Sequence, residues 1–151
     1  MHDRPRLRLA TVVATGVALL ALTACSGVVQ VAVPPLATAP ACAQIAWPHT
    51  VAGQRGGPAV PANAATHAWG SPAIIARCGV PAPPPTTLEC LGVDEVDWII
   101  EPLSDGTRFT TYGREPALQV LVPDAYEPAP MVLGDLTPAA TSLPATGRRC
   151  R

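Results

Sequence analysis

Lysine is absent, and all ten basic side chains of the 151-residue chain are arginines. Three of them, Arg4, Arg6 and Arg8, crowd the first eight residues. Elsewhere no basic cluster stands out and the net charge is −1, so the electrostatic footprint of a nucleic-acid-binding protein is missing. Aromatic residues are few: three Trp, two Tyr and one Phe. With so few large side chains to fill a core, Trp69 and Trp98 are expected in packing before any sugar-stacking role. A Cys-x-x-Cys pair is lacking, which weakens both a dithiol redox motif and a tetrathiolate zinc site. The Gly-x-Ser-x-Gly turn of acyl-transfer enzymes is also lacking. Neither Gly53 nor Gly56-Gly57 is followed by Lys-Thr and a helix, so a phosphate-cradling loop is excluded.

What the chain does hold is apolar material, at 48%, together with 19 prolines. The apolar share argues against wholesale disorder, and the length suits one domain. An uncharged run from Leu9 to Leu22 follows the early arginines and reads as the h-region of a secretory signal peptide. Those arginines are never adjacent, so the twin-arginine route is not indicated.

The run ends in Leu22-Thr23-Ala24-Cys25-Ser26-Gly27, which resembles the lipobox of bacterial lipoproteins. Small residues at 23 and 24 suit a peptidase cleft, and the Cys25 thiol would accept a diacylglyceryl group. Two or more acyl chains anchor stably where one is marginal. The competing reading is an uncleaved signal anchor, for which the run is short. The expected organisation is therefore a lipoprotein signal peptide over 1–24, a lipidated Cys25 with a proline-containing tether over 25–41, and one extracytoplasmic domain over 42–151. Within the tether, Val28 to Val33 also has strand propensity. Residues 1–24 hold three Arg and one Asp, which leaves the remainder at a formal charge of −3.

Four further cysteines, Cys42, Cys78, Cys90 and Cys150, form an even set outside the cytoplasm and imply two disulfides in one of three pairings. Cys78 with Cys90 is favoured, because Pro81, Pro83, Pro84 and Pro85 would stiffen the loop between them; Cys42 with Cys150 would then tie the domain's ends.

Along the domain, one or two helical turns are expected over 41–46, a loop over 51–65, and a turn at Trp69-Gly70-Ser71-Pro72. Alternating or β-branched stretches predict four strands near 73–78, 93–101, 107–112 and 118–122, the last three pairing antiparallel. Thr137-Pro138 reads as a cap and first position of a short helix to Ser142. The sum is an α+β domain: a small antiparallel sheet of about four strands with short helices on one face, stapled by disulfides.

The blocks Trp69 to Val80, Val96-Asp97-Trp98 and Phe109 to Arg114 resemble an actinobacterial lipoprotein family catalogued as domain of unknown function thirty-five fifteen. The resemblance runs from about Cys42 to Cys150. It implies an envelope protein and no particular activity. The use of Arg to the exclusion of Lys adds a hint of a GC-rich genome.

Chemistry-bearing residues are thin. His49 and His67 are expected as solvated loop residues, and no cofactor or metal is implied. Asp94 and Glu95 are expected to solvate the start of a strand. Arg77, Arg108 and Arg114, if the sheet gathers them with Tyr112 and Trp98, would form an anion- or glycan-binding patch. The plainer expectation pairs Arg77 and Arg114 with nearby acids to fix a turn. The expected function is a lipid-anchored envelope protein with a non-enzymatic binding or structural role, whose partner is an envelope protein or cell-wall glycan. The alternative is an envelope hydrolase or transferase using carboxylates such as Asp97 and Asp105.

Overall fold

A computed structural model describes residues 28–151. The elements in chain order are α1 (Pro40–Ala43), β1 (Thr50–Val51), β2 (Gln54–Pro58), β3 (Thr66–Trp69), β4 (Ile74–Val80), β5 (Cys90–Val93), β6 (Val96–Pro102), β7 (Gly106–Tyr112), β8 (Ala117–Pro123) and α2 (Leu133–Thr141). All eight strands join one antiparallel sheet in the order β1-β2-β3-β4-β8-β7-β6-β5.

The expectation of about four strands is thereby corrected to eight. The four foreseen strands are β4, β8, β7 and β6, neighbours at the sheet's centre and seven residues each. Their alternation is clear because one face is buried: Val96, Trp98, Phe109, Thr111, Leu118, Val120 and Val122 all lie inward with 2% exposure or less. The overlooked strands flank them. At two to five residues, with β2 reading Gln-Arg-Gly-Gly-Pro, they carry no apolar period to detect.

The inward face packs on α2 through Leu133, Leu136, Ala139 and Ala140. This helix touches β1 and β5, the two opposite edges of the sheet, so the sheet coils around it. The contacts are specific. Asp135 Oδ2 accepts the Ala52 N–H of the β1–β2 turn at 2.8 Å. Two residues on, Thr137 donates to Asp94 Oδ2 in the β5–β6 turn, also at 2.8 Å.

The helix therefore does not start at Thr137. A 3-10 turn over Ala129–Val132 feeds straight into it, and Pro138 sits inside rather than at the first position. Thr137 serves the sheet instead of a cap.

The segment expected as a tether is packed onto the domain from Val29 onward. Val60 N–H donates to Val29 O and Val31 N–H donates to Val60 O, each at 2.9 Å. Farther on, Leu36 N–H donates to Gly79 O at 2.9 Å. Gly79 permits that crossing: its φ is +106°, and a Cβ there would stand 2.5 Å from the Leu36 carbonyl carbon. The expected signal peptide and Cys25 lie outside the described residues. Among the described residues no helix is long and apolar enough to cross a membrane.

Both disulfides are present, but the pairing is Cys42–Cys78 and Cys90–Cys150, with Cα–Cα distances of 5.4 and 5.7 Å. The favoured Cys78–Cys90 bridge fails because β8, β7 and β6 lie between β4 and β5. Four strand spacings are roughly 19 Å, far beyond disulfide reach. The proline-rich segment from 81 to 89 spans this gap instead of closing a small loop.

Candidate functional site

Strand register fixes which side chains share the outward face. Successive pairings lay a row across the sheet: Thr66, Arg77, Gln119, Thr110, Ile99 and Cys90. Arg77 donates from Nε at 2.8 Å and from Nη2 at 2.5 Å to Gln119 Oε1, and Gln119 Nε2 donates to Thr110 Oγ1 at 3.2 Å. Arg77 thus has a neutral partner where a carboxylate was expected. Burial, and secondarily the positive charge of Arg108, lower its pKa from the ordinary value. Arg108 lies on the same face, with Nη1 2.9 Å from Glu101 Oε1. Its Nε is buried with no hydrogen-bond partner.

Tyr112 completes this side of the sheet, opposite Asp97. Arg77, Arg108 and Tyr112 therefore do share a face. Trp98 does not. It points inward from β6, is fully buried and belongs to the core, as the plainer expectation for it held. Arg114 is also elsewhere. Its Nη1 donates to Leu143 O at 2.9 Å and Thr141 O at 3.4 Å, which places a cation on the carbonyls ending α2. The proposed pairing of Arg114 with a turn carboxylate is replaced by this helix-end contact.

Over the β5–β7 part of the same face runs a groove of about 890 Å³. Ile99 and Tyr112 form part of its floor, while the proline-rich segment and the segment 146–151 line it. The Cys90–Cys150 bridge pins the second segment to β5, and Cys150 N–H donates to Asp97 Oδ2 at 2.9 Å. Arg148 Nη1 reaches Pro83 O across the groove at 3.1 Å.

Arg148, Arg149 and Arg151 all line this space, against Glu89 as the single acid. None of the three has a carboxylate at ion-pair distance among the described residues, where Arg108–Glu101 is the one salt bridge. Sequence reasoning missed them. The signal was Arg-Arg-Cys-Arg itself, a basic run whose cysteine turns it inward over the sheet.

The chain belongs to the family described as protein of unknown function (DUF3515), which matches it over residues 7–146. Nothing among the curated proteins or the solved structures matches it. In this DUF3515 protein, Arg77, Arg108 and Tyr112 fall within the family match, whereas Arg148, Arg149 and Arg151 lie past its end.

Two other expectations about this DUF3515 chain are placed by the structure. His49 is exposed, but His67 is on β3 and half-buried, 6.1 Å from the Trp47 ring and 4.7 Å from Trp69. Burial lowers its pKa. The carboxylates named for an enzymatic alternative are not brought together: Asp97 is near the start of β6, and Asp105 is in the turn past its end. Asp97 is engaged by the Cys150 amide. Among the described residues no three His, Cys, Asp or Glu side chains converge to hold a metal.

Proposed function

We propose that this is a lipid-anchored cell-envelope protein of actinobacterial type, with a non-enzymatic binding role at the outer face of the membrane. Its groove takes an anionic envelope glycan. The observation that carries the binding role is the groove's charge: three arginines without a carboxylate partner, Arg148 and Arg149 each donating to a backbone carbonyl, against Glu89, on a domain whose formal charge is −3. Guanidinium forks suit carboxylate or phosphate groups, and Tyr112 offers a ring beside them. The groove's size suits a ligand of a few sugar units. Supporting the envelope setting are Leu22-Thr23-Ala24-Cys25 after an apolar run and the two disulfides, which persist in oxidising compartments.

The test titrates the full chain, purified in detergent, with acidic cell-wall glycan fragments and with neutral fragments of equal size. Saturable binding of the acidic fragments alone is expected, weakened by added salt and about tenfold or more by joint Arg148→Ala and Arg149→Ala substitution. Binding indifferent to charge and to both arginines overturns the glycan role. Detergent partitioning of wild type and Cys25→Ala tests the anchor, which equal retention of both would refute.

A further inference from the structure

Six large apolar side chains stand exposed among the described residues, and four of them gather on one short stretch and its bonded partner. They are Val28 at 65%, Val33 at 46%, Leu36 at 40% and Val60 at 37%. Val29 and Val31 bond to Val60 on either side, so Val28 and Val60 are held close, and the segment then runs on to Gly79 with Val33 and Leu36 turned outward. Not one Asp, Glu, Lys or Arg occurs from 28 to 54 or from 56 to 76. Covering this patch would desolvate no charge belonging to either stretch.

Covalent reach names what covers it. Only Ser26 and Gly27 separate Cys25 from Val28. Three residue steps span at most about 11 Å, so an acyl-bearing Cys25 holds Val28 within that distance of the lipid headgroups. We infer that the apolar patch of Val28, Val33, Leu36 and Val60 is a membrane-docking face, which lays this end of the sheet on the bilayer surface. The inference rests on the lipid-anchor reading above. A long free tether would have left the domain's orientation open. Packing of the chain onto the sheet from Val29 onward removes that freedom, and the docked orientation leaves the opposite end of β4, near Pro72, away from the lipid.

The test uses the full chain, isolated with its lipid and reconstituted in phosphatidylcholine vesicles with or without bromine on the acyl chains. Variants Val33→Trp and Val60→Trp each add an indole to the patch. Met131→Trp adds one within the 3-10 turn Ala129–Val132, which follows a first such turn over Asp124–Tyr126 whose Tyr126 hydroxyl donates to Pro72 O. All three sites are exposed, so folding is expected to survive. Brominated lipid is expected to quench the fluorescence that Val33→Trp and Val60→Trp add over wild type, and to leave that of Met131→Trp unchanged. Mass analysis of the same samples reports the acyl group. A chain without acylation sinks the anchor reading and the inference with it. An acylated chain on vesicles, with all three indoles equally unquenched, sinks the docking face alone. Self-association that shields the patch indoles from bromine overturns the inference in favour of a second copy of the chain.

Discussion

Thr137 donates its hydroxyl to Asp94 Oδ2 at 2.8 Å, and through this bond the middle of α2 grips the turn at one edge of the sheet. Asp94 has φ +50°, a conformation that Asp tolerates better than most side chains. Thr137→Val is expected to cost about 1 kcal/mol. Asp94→Ala should cost more, because it loses the same bond and leaves alanine in the left-handed region. Urea unfolding at constant slope ranks the two, and an equal loss would assign no strain to the turn.

Gly56 lies against the Trp69 indole. A Cβ there would stand 2.4 Å from Trp69 Nε1, which itself donates to Pro48 O at 2.9 Å, whereas a Cβ at Gly57 meets nothing within 4 Å. Gly56→Ala is expected to destabilise by about 1 to 3 kcal/mol through overpacking, and by clearly more than Gly57→Ala. The unfolding midpoints of the two variants decide it.

Burial disfavours the charged form of His67, so its folded pKa lies below 6.5. As pH falls below 6.5 the unfolded chain takes up a proton that the folded chain resists, and stability falls. The loss is complete once pH drops beneath the folded pKa. His67→Phe removes this contribution while retaining a ring against Trp47 and Trp69. Wild type should therefore lose more stability than the variant between neutral and mildly acidic pH. Parallel losses would show that His67 titrates alike in both states.

Peptide mapping under alkylating conditions should recover Cys42 with Cys78 and Cys90 with Cys150. The bridges span 36 and 60 residues, and each is expected to contribute about 4 kcal/mol by restricting the unfolded chain. Joint Cys90→Ala and Cys150→Ala should also release Arg148, Arg149 and Arg151 from the groove. Acidic-glycan binding would then fall with stability, and retained binding would separate the groove from its bridge.

Legibility in the sequence followed burial. Val96, Trp98 and Ile100, then Phe109 and Thr111, then Leu118, Val120 and Val122 alternate because one face of each strand lines the core that α2 and the 3-10 turn before it cover. The central strands were readable for that reason. In β2, Gly56 and Gly57 give no period, since what that strand supplies is room for Trp69. Arg77 and Arg108 were recognisable as charges of interest, and their common face follows from register. Register could not be read before β8 was known to insert between β4 and β7. That same insertion misled the disulfide pairing, because proximity of Cys78 and Cys90 in sequence became distance across four strands.

The Cys42–Cys78 bridge also decides how the domain would bear a pull. Tension entering along the first described residues reaches Cys42 in α1 and passes through sulfur directly to β4, one of the central strands. Residues 43–77, with β1, β2 and β3, lie in the loop that this bridge closes, and once the hydrogen bonds of Val60 to Val29 and Val31 have given way they carry none of it. The sheet is thus loaded at its interior, where each strand is bonded on both sides, and its short outer strands are spared.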